Sequence, residues 1–216
     1  MFNRTTLLII VAALAAGLGL WFAQKTAGPA GAPELDLVTL LPQAREIPDF
    51  QLQRADGGVL SKADLKGRWS IVFLGFTHCP DICPTTLAEL GQAERLWQAS
   101  LDPADHPNIV FVSADPERDS PELTQEYAGF FTEHAIGATA DIPTLERFSR
   151  SLLLVFAKAP TGNGDYTIDH SAQLALLDPD AHFVGFIRPQ LPTEPGPAFP
   201  PRRLAEDLQR LVEAGR

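Results

Sequence analysis

Cysteine and methionine are scarce in this chain, and their scarcity limits the chemistry open to it. Its 216 residues include two cysteines, Cys79 and Cys83, and one methionine, Met1. Two cysteines so close together cannot form the disulfide framework of a small secreted domain. Methionine is excluded as a ligand of a folded metal site, because the only one is Met1. The spacing of the two cysteines is typical of metal or redox chemistry.

Positive charge is also in short supply. The chain has 17 lysines and arginines against 27 aspartates and glutamates, a net charge of -10 at pH 7. Nucleic acids and anionic membrane surfaces repel such a protein, so neither is expected as a partner, whereas a cationic or metal-bearing partner fits. With 45% hydrophobic residues, the length suits one globular domain plus an appendage.

The chain has one long apolar run, at residues 5–23, after a short basic start. About 19 apolar residues are enough to cross a membrane, and Trp21 lies where an interfacial aromatic side chain is expected. We therefore predict an uncleaved anchor at 1–25, a linker at 26–44 with a flexible tether at 27–33, and a domain at 45–216. The alternative is a signal peptide cleaved near Ala27 or Ala30. No cysteine follows the run that could carry a lipid anchor.

The two cysteines follow a predicted buried strand and precede a predicted helix. Residues 71–76 are almost wholly apolar, and Pro84 suits the first turn of a helix. The Cys83 side chain is then expected beside the positive end of the helix dipole, a position that favours thiolate over thiol. Thiolates bind soft metals and attack disulfides, so the site is a metal clamp, a redox switch, or both.

The spacing of the cysteines favours a metal site. Three residues separate Cys79 from Cys83, whereas the common dithiol oxidoreductase motif has two. Two thiolates a helical turn apart can reach one ion, but a third ligand must come from elsewhere in the chain. With methionine excluded, that ligand is expected to be a histidine, which copper accepts readily.

Hydrophobic periodicity predicts an alternation of strands and helices around the cysteines. The predicted strands are a hairpin at 47–52 and 58–60, single strands at 69–76, 109–114 and 153–157, and a closing hairpin at 173–177 and 183–187. The predicted helices follow Pro84 and lie at 120–134, 143–152 and 202–214. This order predicts an α/β, thioredoxin-like fold with an N-terminal transmembrane helix and an added N-terminal β-hairpin.

Three segments resemble one known family. They are GFTHCPDICPTTLAEL (75–90), FVSADPERDSPE (111–122) and YTIDHSAQLALLDPDAHF (166–183). Over residues 45–212 the chain resembles the Sco/SenC/PrrC family of membrane-anchored, thioredoxin-like copper proteins, which help to assemble cytochrome c oxidase. The resemblance implies one copper ion, Cu(I) or Cu(II), bound by Cys79, Cys83 and His170.

The same resemblance implies a place and a role in the cell. It implies a single-pass protein of the bacterial inner membrane, with the copper domain in the periplasm, that delivers copper to the dinuclear copper site of cytochrome c oxidase subunit II. Other copper carriers and thioredoxin-like reductants are further expected partners. The alternatives are a thiol-disulfide reductase that keeps the cysteines of that subunit reduced, or a redox-signalling relative, so enzyme activity stays open. A Cys79–Cys83 disulfide is expected in either case. His170 discriminates between copper delivery and disulfide reduction, because a reductase does not need it.

Other residues near these motifs have two interpretations. Asp115 and Asp119 are expected beside the cysteine turn, where they either cap the next helix or form an acidic patch that docks a partner or helps to bind Cu(II). Asp81 has the same two interpretations, and His78 is expected to be structural. The chain departs from the family at Ala181, where a glycine is expected, and at 152–158, where a glycine-containing start is missing.

Overall fold

The N-terminal unit of the molecule is a single long helix. The computed structural model describes residues 3–26, 34–162, 164–191, 193 and 195–215, and the chain divides into two units at 34/35. Helix α1 (Arg4–Thr26) contains an 18-residue window, Arg4–Trp21, with a mean hydropathy of 1.8. By length and composition this helix can cross a membrane, as predicted. The predicted tether at 27–33 lies outside the described residues.

The second unit combines strands and helices, and the bounds below refer to its described residues. The strands are β1 (Val38–Arg45), β2 (Gln51–Arg54), β3 (Val59–Ser61), β4 (Ser70–Gly75), β5 (Asn108–Ser113), β6 (Ile136–Thr139), β7 (Phe156–Pro160), β8 (Tyr166–His170), β9 (Leu174–Leu177) and β10 (Phe183–Ile187). The helices are α2 (Ile82–Gln98), α3 (Pro121–Phe131), α4 (Ile142–Ser151) and α5 (Pro201–Ala214), with short 3-10 turns at Lys62–Leu65 and Pro103–Asp105.

One mixed sheet organises this unit. Its strand order is β1-β10-β9-β4-β5-β6-β2-β3, and β7 and β8 form a separate two-stranded sheet. The central pair, β4 and β5, is parallel, with Gly75 opposite Ser113 at the end of the register. The loops that follow these two strands therefore leave the sheet side by side. This places the cysteine loop next to the loop that carries Asp115 and Asp119.

The central elements form because their residues can be buried. Every residue of β4 is buried, as expected for a strand covered on both faces. Helix α2 turns Leu87, Leu90, Ala93 and Trp97 toward the core, at the helical spacing that the sequence predicts. The parallel β4-β5-β6 core with helices α2 and α3 between its strands confirms the thioredoxin-like α/β fold, and the β2–β3 hairpin confirms the added N-terminal hairpin.

Several strands differ from the prediction. Residues 38–44, assigned to the linker from the sequence, form most of β1 and pair with β10 at the edge of the sheet. An edge strand tolerates Pro42, because its outer side makes no ladder hydrogen bonds. Proline usually argues against a strand, so the sequence did not predict one here. Strand β6 was not predicted, since it has four residues and its centre is Gly137 and Ala138, two residue types that are depleted in strands. The strand expected at 153–157 begins instead at Phe156 and pairs with β8, and α3 ends at Phe131 rather than near His134.

Among the described residues, two that are not glycine adopt left-handed backbone conformations, and both lie where the chain departs from the expected pattern. Ala181 has φ 60° and Leu153 has φ 54°. Leu153 follows the end of α4, where its N–H donates to the Arg150 carbonyl and the Leu154 N–H donates to the Ser149 carbonyl. These two bonds form a Schellman motif, whose left-handed position is usually a glycine. Non-glycine residues at these positions therefore leave backbone strain.

Candidate metal centre

The cysteine loop joins the end of β4 to the start of α2. The Cys79 N–H donates to the Phe76 carbonyl at 3.3 Å, which closes a turn, and α2 begins at Ile82, two residues before Pro84. Cys83 therefore lies in the first turn of the helix, as predicted. Its backbone N–H donates to the Cys79 sulfur at 3.3 Å. Both cysteines are free; Cys79 is half-buried and Cys83 is buried.

A glycine makes room for the buried sulfur. A Cβ atom on Gly75 would lie 2.7 Å from the Phe111 ring and 2.9 Å from the Cys83 Sγ atom. Real Cβ atoms essentially never make contacts below 3.0 Å. Gly75 is therefore part of the site, although it contributes no side chain. A glycine at the end of the strand before the cysteines was the only sequence signal for this role.

The third donor comes from the two-stranded β7–β8 sheet. His170 is the last residue of β8 and pairs with Phe156 of β7. Its Nδ1 atom lies 3.0 Å from the Ser171 carbonyl oxygen, and its Nε2 atom lies 3.5 Å from the Cys83 sulfur. Because a carbonyl oxygen only accepts, the proton resides on Nδ1 and the Nε2 lone pair faces the cysteines. The rings of Phe73 and Phe76 pack edge-on against the imidazole.

The structure brings Cys79, Cys83 and His170 together. One ligand atom from each lies within 4.8 Å of the other two, and no other group of three such side chains occurs in the described ranges. Two sulfurs and one imidazole nitrogen suit a soft or borderline ion such as copper, whereas Mg²⁺ and Ca²⁺ prefer oxygen ligands. The donor set therefore fits the copper ion expected from the sequence.

Burial keeps Cys83 and His170 neutral in the metal-free protein. Loss of solvent raises the pKa of the Cys83 thiol above its usual range, and the nearby Cys79 sulfur and Asp119 carboxylate act in the same direction. Burial lowers the pKa of His170. The expectation that the helix dipole makes Cys83 a thiolate is wrong for this state, because desolvation outweighs the dipole. A bound cation would supply the missing positive charge, and its binding would release a proton from Cys83.

Asp119 lies beside the cysteine turn, as the sheet order requires, but it is fully buried. It accepts hydrogen bonds from the Thr77 N–H at 2.8 Å, the Thr77 hydroxyl at 2.5 Å and the Ser113 hydroxyl at 2.5 Å. Asp115 is also buried and accepts from the Tyr166 hydroxyl at 2.8 Å and from Arg118. Neither aspartate caps α3, whose cap is Ser120. The helix-cap interpretation is wrong, because Ser120 caps α3. The two carboxylates are buried and contact the cysteine loop and β8, and their influence on a bound metal or a partner stays a prediction.

Asp81 and His78 lie outside the donor group. Asp81 is exposed at the N-terminus of α2, where its side chain makes no capping hydrogen bond. The half-exposed His78 ring directs its Nδ1 atom to the Thr77 hydroxyl at 3.1 Å and to Asp119 at 3.4 Å. His78 thus belongs to the polar contacts that hold the loop, as predicted, and Asp81 is free to face a partner.

An open groove of about 470 Å³ borders the donors. Its lining combines Cys79 and His170 with apolar Phe76 and Ile82 and with two carboxylates, Asp81 and Asp169. A larger groove of about 1040 Å³ lies between β2 and α4, and its lining contains no cysteine or histidine within the described residues. The metal donors are therefore reached through the smaller groove.

Comparisons with known proteins agree with the fold and identify the family. A family model described as SCO1/SenC matches residues 39–211. A Stutzerimonas stutzeri protein whose name proposes copper binding is 41% identical over 155 residues, covering 71% of this chain and 74% of the relative. The mitochondrial SCO2 homolog of Bos taurus is 34% identical over 184 residues, covering 84% and 68% respectively. The solved structure of Bradyrhizobium japonicum ScoI with copper bound is 36% identical, with a TM-score of 0.64, covering 76% of this chain and 99% of that one.

Proposed function

The chain belongs to the SCO1/SenC family, and on that premise we propose that it carries one copper ion on Cys79, Cys83 and His170 and delivers it to the dinuclear copper site of cytochrome c oxidase subunit II. The observation that carries the proposal is the convergence of three donor atoms within 4.8 Å. The similar ScoI of Bradyrhizobium japonicum, solved with copper bound, supports the identity of the metal.

The exposure of the donors suits transfer as well as storage. Cys79 and His170 are half-buried and line an open groove. A three-coordinate copper ion on these donors leaves room for a ligand from a recipient, so the ion can pass by ligand exchange. The apolar and acidic lining of the groove offers a docking surface for that recipient.

The proposal includes a location. Helix α1 is long and apolar enough to span a membrane, and we place it as a single-pass anchor in the bacterial inner membrane with the copper domain in the periplasm. An anchored carrier meets a membrane-bound oxidase by diffusion within the same membrane, which favours an encounter at low copper concentration.

Copper binding to single-site variants tests the ligand set. The full chain in detergent is expected to bind one copper ion, and Cys79→Ser, Cys83→Ser and His170→Ala are each expected to weaken binding about a hundredfold or more, where each tenfold loss is about 1.4 kcal/mol. His78→Ala is the matched control, because its ring is next to Cys79 in sequence but outside the donor group. If His170→Ala bound Cu(I) and Cu(II) as tightly as the parent while His78→Ala did not, the assignment of His170 would be wrong.

Delivery needs its own test. Copper-loaded protein mixed with the copper-free domain of subunit II is expected to lose its ion, and the recipient is expected to gain the absorption of a dinuclear copper site. Absence of transfer at equilibrium, with the donor still loaded, would contradict the delivery step but not the copper site.

A second function, reduction of a partner disulfide, is favoured by the state of the thiols. Cys79 is half-buried and free, and its sulfur accepts the Cys83 N–H. A reductase does not need His170, so His170→Ala is expected to retain reductase activity and lose copper delivery. Oxidation to a Cys79–Cys83 disulfide is expected to abolish copper binding until the pair is reduced, because a disulfide offers no thiolate. Undiminished copper affinity of fully oxidised protein would overturn this competition.

A further inference from the structure

One loop contacts both the cysteine loop and the strand that carries His170. Residues 114–120 join β5 to α3 and carry Asp115 and Asp119, which are 2% and 0% exposed. Asp119 accepts two hydrogen bonds from Thr77, in the cysteine loop. Asp115 accepts a hydrogen bond from Tyr166, on the strand that ends at His170. The loop thus connects the cysteines to the histidine by a path separate from the sheet.

The two carboxylates are fixed relative to each other. The Ser113 hydroxyl donates to Asp119 at 2.5 Å and accepts from the Asp115 N–H at 3.1 Å. The Asp119 N–H donates to the Asp115 carbonyl at 2.9 Å. Because these groups are buried, breaking any one of the bonds would leave an unsatisfied polar atom. The loop therefore behaves as a rigid connector.

Two cations contact the ring of Tyr166, and a carboxylate contacts its hydroxyl. The Arg118 guanidinium lies 3.8 Å and the Lys158 ammonium 3.7 Å from the centre of its ring. Its hydroxyl donates to Asp115 at 2.8 Å, and Arg118 also donates to its backbone carbonyl at 3.1 Å. Each of these cation–π contacts attracts the ring and so favours its observed position. Burial and the Asp115 carboxylate raise the Tyr166 pKa to about 12, so the phenol stays a donor.

The β7–β8 sheet needs such an attachment. It is a two-stranded sheet outside the eight-stranded one, and an isolated pair of strands is only marginally stable in water. Residues 166, 168 and 170 of β8 share one face of the strand, and Ile168 between them is buried. Fixing the Tyr166 end of this face also restricts the direction of the His170 end.

We propose that Tyr166 is a positioning residue for His170: through Asp115 it fixes the β7–β8 sheet against the cysteine loop and so sets the distance from the imidazole to the two sulfurs before copper arrives. The consequence for copper rests on the proposed function, whereas the attachment of the sheet does not.

Hydrogen exchange of the metal-free full chain in detergent tests the attachment. Tyr166→Phe keeps the ring and its two cations but removes the hydroxyl. We expect its amide exchange, followed by mass spectrometry, to accelerate about tenfold over residues 156–170 and to stay unchanged in α2. Tyr127→Phe is the matched control, because the buried Tyr127 hydroxyl has no hydrogen-bond partner among the described residues, and its exchange should match the parent's. Parent-like exchange over 156–170 in Tyr166→Phe would overturn the proposal.

The spectrum of bound Cu(II) tests the consequence for the metal. In Tyr166→Phe we expect the nitrogen hyperfine coupling in the electron paramagnetic resonance spectrum to weaken and broaden, and Cu(II) affinity to fall about tenfold, or about 1.4 kcal/mol. Tyr127→Phe should keep the parent spectrum. An unchanged Tyr166→Phe spectrum would overturn the positioning role. A parent chain that bound no copper would instead overturn the proposed function, and hydrogen exchange would still decide whether Tyr166 attaches the sheet.

Discussion

At the scale of single residues, Cys83 and His170 form an uncharged pair in the metal-free protein. Burial raises the pKa of the thiol and lowers the pKa of the imidazole, so the thiol can donate to the unprotonated Nε2 atom 3.5 Å away. Each group is thereby ready to change state when a cation arrives. The same two shifts predict how the stability of the protein depends on pH.

The free energy of unfolding of the metal-free, reduced protein is expected to be highest between about pH 6.5 and 8.5, the usual pKa values of histidine and cysteine. Below this window the unfolded state binds a proton at His170 that the folded state resists, so stability falls as pH falls. Above it the unfolded state loses a proton at Cys83 that the folded state keeps, so stability falls as pH rises. Urea unfolding from pH 5 to 10 measures the fall in stability on the acid side (the acid limb) and on the alkaline side (the alkaline limb).

Two variants separate these limbs. His170→Ala is expected to flatten the fall in stability at acid pH, and Cys83→Ala is expected to flatten the fall at alkaline pH. The difference from the parent isolates these residues from other titrating groups such as Glu94, whose pKa burial also raises. If His170→Ala kept the acid slope of the parent, burial of the imidazole would not be its cause.

Gly75 is expected to be indispensable to the site. In Gly75→Ala the new methyl group would press on the Cys83 sulfur and the Phe111 ring, and overpacking of this kind costs about 1–3 kcal/mol. Copper affinity is expected to fall because the sulfur must move. Gly185→Ala is the control, since its Cβ would clash with the Thr39 carbonyl, away from the donors. It is expected to lower thermal stability but, in the folded protein, to keep the parent copper spectrum.

The sequence is informative about residues whose chemistry is local. Cys79 and Cys83 could be predicted as a functional pair because their spacing and the following proline define the turn. His170 required the resemblance to a family, since 87 positions separate it from Cys83. The roles of Gly75 and Tyr166 depend on contacts between distant segments, which no local pattern records.

At the scale of secondary-structure elements, the backbone is strained at the end of α4, and a substitution can relieve the strain. Leu153 is 47% exposed and occupies the left-handed position of the Schellman motif, which costs a non-glycine residue about 1–2 kcal/mol. Glycine would relieve this strain but adds entropy to the unfolded chain. Leu153→Gly is therefore expected to stabilise the protein by roughly 0.5–1 kcal/mol, measured by urea unfolding.

The same substitution elsewhere provides the control. Leu96 is 42% exposed in α2, and Leu96→Gly is expected to destabilise by about 1 kcal/mol, because glycine is a poor helix former. Copper binding is expected to be unchanged in both variants. A Leu153→Gly protein as destabilised as Leu96→Gly would show that the turn is not strained.

Elements with strong local signals were predicted and elements held by their neighbours were not. Strands β4, β5, β9 and β10 are apolar runs bounded by turn residues, and α3 begins at the predicted Ser120 cap. The edge strand β1, the short β6 and the β7–β8 pairing carry weak patterns, and they form because the sheet or the connecting loop offers them partners. The third donor therefore lies in a region whose structure the sequence describes least well.

At the scale of the whole molecule, α1 is expected to keep the protein in the membrane. Carbonate extraction of cells should leave the full chain in the membrane fraction, and a variant beginning at residue 35 should be released, because only the first unit contains a described helix apolar enough to span a bilayer. A soluble product of the full chain, beginning near residue 28 or 31, would show that the segment is a cleaved signal.

In the proposed transfer, the unequal depth of the two sulfurs sets an expected order of events. Cys83 is 0% exposed, whereas Cys79 and His170 border the groove. A ligand of the recipient that arrives from solvent meets the Cys79 and His170 side of the ion first, so the bond to Cys83 is expected to be the last to break on release. A supplier that uses the same groove is expected to compete with the recipient for it. On this proposal the protein receives and gives copper in two separate encounters, with no complex of all three proteins.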